Sequence, residues 1–138
     1  MSPSPEDRTA SLEPWPLATE ARLRAIAWPD YASEDELRRV LHVVEPLWGR
    51  ADACLLLRHD EALDGPLDAA VEAVRRALSA FDRRGDLDVL FVDDPIPRAD
   101  WPRVGVGAFC AILSGAAGAQ ERAEFIRAQP AELVDARG

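Results

Sequence analysis

Residues 53–61 read Ala-Cys-Leu-Leu-Leu-Arg-His-Asp-Glu, an apolar run that ends in charge. A strand with one face in water alternates polar and apolar residues. The run Ala53–Leu57 does not alternate, which suits a central parallel strand covered on both sides. The same phrase recurs as LRAIAWPD (Leu23–Asp30), LDVLFVDD (Leu87–Asp94) and VGVGAFCAILSG (Val104–Gly115). Strands are expected at Leu23–Trp28, Ala53–Leu57, Leu87–Val92 and Val106–Leu113, with a short edge strand at Leu133 and Val134.

Helical patterns lie between these runs. Ser33 and Glu36 form the capping box S-x-x-E, with Glu34 and Asp35 beside the positive end of the helix dipole. Leu37, Val40, Leu41, Val44 and Trp48 then keep one apolar face until Gly49. After a turn at Asp64-Gly65-Pro66, the spacing of Leu67, Val71, Val74, Leu78 and Phe81 predicts a second amphipathic helix, closed by Arg83-Arg84-Gly85. Pro95, Pro97 and Pro102 exclude a long crossover helix after the third strand, leaving room for one turn at Ala99–Arg103. Gln120–Ala128 is helical up to Pro130. Strand and helix alternating about every 30 residues favour right-handed βαβ units. The fold class is therefore α/β, a three-layer Rossmann-like domain with a mainly parallel sheet of four to five strands and flanking helices. One such domain is expected over residues 22–138. Residues 1–21, with Pro3, Pro5, Pro14 and Pro16, read as a flexible Pro-rich leader in which Trp15 is expected to dock on the domain.

The chain has 138 residues and a net charge of -9. That charge repels nucleic acid and anionic lipid, so no nucleic-acid or membrane partner is expected. No apolar stretch approaches the ~20 residues of a membrane span, and a cytoplasmic location is expected. Cys54 and Cys110 sit in apolar runs, where free thiols behave as small hydrophobes. All 16 basic residues are arginine, and neither lysine nor asparagine occurs. A P-loop lysine, a Schiff-base amine and a lysine general base are excluded. The sequence also lacks G-x-S-x-G, H-E-x-x-H and C-x-x-C, and no catalytic residue is assigned.

Candidate sites gather at strand exits, because a parallel sheet binds ligands at the carboxyl ends of its strands. Asp30, Asp60, Asp93 and Asp94 could hold Mg²⁺, yet acidic residues are also ordinary turn residues, and no metal site is assigned. Arg58-His59-Asp60 places an imidazole beside a carboxylate, a pairing suited to acid–base work and equally to a solvated strand end. His42 is expected on a helix surface. Ser114, Gly115 and Gly118, ahead of a helix, could offer backbone N–H groups to a phosphate.

The stretches I-A-W-P-D-Y, S-E-D-E-L, C-L-L-L-R, D-L-D-V-L-F-V-D-D, I-P-R-A-D-W-P-R-V and A-F-C-A-I-L, over residues 22–115, resemble the carboxyl-terminal half of GT-B glycosyltransferases. The resemblance implies a Rossmann-like half-domain that holds a nucleotide sugar, with Arg58, Ser114 and the loop to Gly118 facing the donor. Those enzymes hold the donor ribose with two glutamates seven residues apart, whereas Glu121 and Glu124 here are three apart. The acceptor-binding half has no counterpart.

Two functions follow. One is a nucleotide-sugar-binding half-domain, not catalytic alone, completed by a second polypeptide that supplies an acceptor-binding half; its ligand is the nucleotide sugar and it needs no other cofactor. The alternative is a noncatalytic Rossmann-like interaction module, dimeric with itself, using Trp15, Trp48 and Trp101. With carboxylates at three strand exits and no lysine, an unaided diphosphate site is poorly matched in charge.

Overall fold

The computed structural model describes residues 13–81, 86–115 and 120–136. Its sheet has five strands, β1 (Leu23–Ala27), β2 (Ala53–Arg58), β3 (Val89–Val92), β4 (Cys110–Leu113) and β5 (Glu132–Asp135), in the order β3-β2-β1-β4-β5. Every pairing is parallel. The expected α/β Rossmann-like architecture is present, with β5 completing the sheet at an edge. All six residues of β2 are buried, the physical reason its sequence carries no alternation.

Five helices connect the strands: α1 (Glu34–Val43), α2 (Glu61–Asp64), α3 (Leu67–Ser79), α4 (Trp101–Val104) and α5 (Gln120–Arg127). From β1 the chain steps outward through β2 to β3, then returns to the other side of β1 for β4 and β5. Because parallel crossovers are right-handed, this reversal places α1 and α3 on one face and α5 on the other. It also opens the switch point between β1 and β4, the place where doubly wound sheets take ligands.

The structure refines several expectations. Ser33 caps α1, its Oγ accepting from the Glu36 N–H at 3.3 Å. The Glu36 carboxylate reaches past the cap to the Asp30 N–H and is itself buried. It thereby ties the β1 exit to the helix. The α-helix stops at Val43 and continues as a 3₁₀ turn, Glu45–Leu47. Pro46 is the cause, lacking a donor and disfavouring the α conformation before it. Beyond the turn, Trp48 stacks on Phe81 at 5.1 Å.

In α3 the buried residues are Ala70, Val74 and Ala77, while Val71 is 41% exposed. The contact face is rotated from the one marked by the large residues, since alanine lets the helix approach its neighbours closely. The fourth strand begins at Cys110, later than Val106. Gly107 turns the chain there with φ of 82°, and the Val106 carbonyl accepts from the Arg24 side chain rather than from a neighbouring strand. The third strand likewise starts at Val89 rather than Leu87. The single turn expected near Ala99 is a 3₁₀ turn, Arg98–Asp100, running into α4.

Trp15 docks on its own domain. Its backbone N–H donates to the Arg103 carbonyl at 3.0 Å and its indole N–H to Asp94 at 3.2 Å, while the Arg103 guanidinium lies 5.2 Å from the ring centre. Residues 1–12 and the closing Arg83-Arg84-Gly85 lie outside the described residues. Among the described residues no helix is long and apolar enough to cross a membrane.

Candidate functional site at the carboxyl edge

Register aligns the strand exits. Ala27 of β1 pairs with Leu57 of β2 and with Ile112 of β4. Two residues further on, Pro29, His59 and Ser114 therefore stand level along the carboxyl edge. His59 and Ser114 are 2% and 3% exposed, and neither the His59 Nε2 nor the Ser114 Oγ finds a hydrogen-bond partner among the described residues. Buried polar atoms are rarely left so. Pro29 stands between them and has no N–H to offer.

Arg58 is placed differently. The guanidinium is buried, and its Nη1 donates to the carbonyls of His59 at 3.0 Å, Val92 at 2.9 Å and Asp94 at 2.7 Å. It thus closes the exits of β2 and β3. Burial pulls its pKa down, opposed by Asp60, Asp94 and Asp64, though arginine stays charged in proteins. Its Nε has no partner among the described residues, and the guanidinium carbon lies 5.6 Å from the Trp28 ring centre. Tyr31 seals this corner, donating to the Arg58 carbonyl at 2.5 Å and packing 5.8 Å from the His59 ring. Burial holds the Tyr31 phenol well above its ordinary pKa, so it remains a donor.

The exit carboxylates that could have held Mg²⁺ form no such group among the described residues. Asp30 accepts from the Ala32 N–H, Asp60 caps α2 through the Ala62 N–H, and Asp94 takes the Trp15 indole. Among the described residues no three His, Cys, Asp or Glu side chains gather as metal ligands. Gly115 is exposed beside Ser114, and Gly118 lies outside the described residues. Glu124 pairs with Arg98 at 2.5 Å. His42 is on the surface, 3.3 Å from Glu45.

Three residues that sequence reading did not single out occupy the switch point itself. Asp64, read as a turn residue, ends α2, and its side chain is fully buried. One carboxylate oxygen accepts from Arg122 Nη2 at 2.5 Å; the other accepts from the Trp28 indole at 2.8 Å and from the Asp60 N–H at 3.0 Å. Trp28 follows β1 and Arg122 lies on α5, so the carboxylate bridges the two sides of the crevice. No local signal marks a contact between residues 36 or 58 positions apart.

Two cavities of about 240 and 360 Å³ lie between α1 and α3. Tyr31, Glu34, Leu37 and Arg76 line the first, and Arg38, His42 and Phe81 the second.

Strand order, all-parallel pairing and the β1/β4 crevice define an α/β Rossmann-like domain. A UDP-forming α,α-trehalose-phosphate synthase from Burkholderia xenovorans superposes with a TM-score of 0.51 at 13% identity, over 84% of this chain and 30% of the synthase. An apo structure of OtsA gives a TM-score of 0.49 at 13% identity, over 96% of this chain and 34% of the other. A universal stress protein in complex with cAMP gives 0.46 at 16% identity, over 84% of this chain and 97% of that one. At such identities the likeness is one of fold, and this chain spans about a third of the synthase's length. The sequence matches no protein-family model and no curated protein. The chain has an α/β Rossmann-like fold, similar to that of part of the synthase.

Proposed function

We propose that this chain is a nucleotide-sugar-binding half-domain of the glycosyltransferase kind, binding at the carboxyl edge and not catalytic alone. The observation that carries the reading is the pair of buried polar groups, His59 Nε2 and Ser114 Oγ, unpartnered among the described residues and level with each other beside the switch point. Such atoms call for a partner, and a sugar or nucleoside supplies hydroxyl and carbonyl groups that match them. The backbone of Gly115 follows Ser114 directly and would line the ligand. Arg58 holds the exits of β2 and β3 in shape rather than gripping the ligand, because its Nη1 already serves three carbonyls. Any sugar transfer requires a second polypeptide with an acceptor-binding half.

A thermal-shift panel of UDP-, GDP- and ADP-sugars tests this. One ligand should stabilise the protein at near-millimolar concentration, and Ser114→Ala should shrink the shift while leaving the unliganded melting temperature within a few degrees, because the hydroxyl it removes has no partner among the described residues. A flat panel sinks the reading.

One observation favours a noncatalytic interaction module instead. The edge strand β5 presents Leu133, 49% exposed, and unpaired strand edges recruit partners. A mass that rises with protein concentration to that of a homodimer, alongside a flat ligand panel, would support it.

A further inference from the structure

The Asp64 carboxylate stands where an anionic ligand would be expected to bind. It lies in the switch-point crevice, is fully buried, and accepts from three donors on the two sides of that crevice: the Trp28 indole, the Asp60 N–H and Arg122. Arg122, with its side chain 14% exposed, is the cation nearest this slot on the α5 side, and Asp64 neutralises it. The second guanidinium near Trp28, that of Arg58, is held by carbonyls. Asp64, Asp60 and Asp94 surround the Arg58 charge and Asp64 pairs with Arg122, so the corner is already supplied with carboxylate, although the Nε of each arginine has no partner among the described residues. At the neighbouring exits His59 Nε2 and Ser114 Oγ, unpartnered among the described residues, suit uncharged hydroxyl and carbonyl groups.

We infer that Asp64 is a specificity-determining residue that fills the anion slot with an internal carboxylate, so that the edge recognises the uncharged nucleoside or sugar portion of its ligand and gains nothing from phosphate. This rests on the ligand-binding reading above for the class of ligand, but the filled slot itself does not depend on it. The physical reason is competition. A phosphate entering beside a buried carboxylate meets like charge at low dielectric, and it must displace Asp64 to reach Arg122.

The test uses the whole chain, with uridine, guanosine and adenosine, each alongside its diphosphate, and inorganic phosphate as a separate probe. For the base that binds, the wild-type protein should hold nucleoside and diphosphate within about threefold of each other. Asp64→Asn should favour the diphosphate by about tenfold or more, and adding Arg122→Gln should remove that preference. Inorganic phosphate should raise the melting temperature of Asp64→Asn and leave the wild type unmoved. A wild-type protein that binds the diphosphate tenfold more tightly than the nucleoside, or an Asp64→Asn protein indifferent to phosphate, overturns the inference. A flat nucleoside and nucleotide panel with a phosphate-responsive Asp64→Asn upholds the filled slot and sinks the nucleotide-sugar reading. If Asp64→Asn does not fold, Arg122→Gln reads the slot from the other side. It should change nucleoside and diphosphate affinity alike, and a loss confined to the diphosphate overturns the inference.

Discussion

On the face covered by α1 and α3 the two helices bury small and aliphatic side chains, Ala70, Val74, Ala77 and Leu37 among them, with the Trp48–Phe81 stack beyond their carboxyl ends, and two cavities lie between them. The opposite face is closed by rings. Phe125 meets Trp28 edge-on at 5.5 Å and Trp101 at 5.6 Å, and Phe125 is fully buried. Small residues let helices approach closely but leave gaps where they diverge, whereas interlocked rings fill space and fix orientation. The crevice that doubly wound sheets offer to ligands is therefore partly filled, by Trp28 and the Asp64–Arg122 pair, while two open spaces lie between α1 and α3.

The sharpest way to break this contrast is a pair of truncations. Phe125→Ala should cost about 3–5 kcal/mol in urea unfolding, because the rings around it cannot collapse into the void. Leu37→Ala, lining a cavity that is already open, should fall at the low end of its class, about 2 kcal/mol. Equal losses would show the two faces to be equally well packed. Next in size, Arg58→Ala should destabilise by about 2–4 kcal/mol, since three carbonyls at the strand exits lose their donor. A loss below ~1 kcal/mol would return Arg58 to the list of ligand-facing groups.

A smaller effect comes from the thiols. Burial, with Asp88 and Glu132 nearby, raises Cys54 and Cys110 from 9.0 to about 11. The native state thus keeps protons that the unfolded chain releases. The associated stability is fully present below pH 9 and falls as pH rises toward 11, by on the order of 1–3 kcal/mol per thiol. Unfolding curves at several pH values should show the slope, and Cys54→Ala should flatten it. An unchanged slope would contradict the burial of that thiol. The smallest effect belongs to the α1 cap, where Ser33→Ala should cost about 1 kcal/mol. A larger loss would mean that Glu36 and the Asp30 N–H depend on the cap for their contact.

Legibility in the sequence followed the range of the forces. β2 was readable because burial on both faces removes alternation, and α1 because its cap is a four-residue pattern. Pro46 shortened α1 by a local rule. The rotated face of α3 was less readable: its apolar period was visible, but which stripe meets the domain core depends on how closely the neighbouring elements approach. At the site, Arg58, His59 and Ser114 were legible as polar residues at strand exits. Their different fates, one satisfied by carbonyls and two left unpartnered, were not, because those depend on Val92, Asp94 and Pro29 brought alongside by the sheet. Asp64 was legible only as a turn residue, and nothing local marked Arg122 as its partner.

The amino-acid sequence by itself determined an α/β domain with a parallel sheet, the absence of every lysine-dependent chemistry, and an acidic carboxyl edge. These follow from composition, periodicity and local turn chemistry, which act over a few residues. Tertiary structure alone decided the strand order β3-β2-β1-β4-β5, the position of the switch point, and the seating of the Asp64 carboxylate between Trp28 and Arg122. A crevice and its filling are contacts between distant segments, and only chain reversal at β1 and β4 brings those segments together.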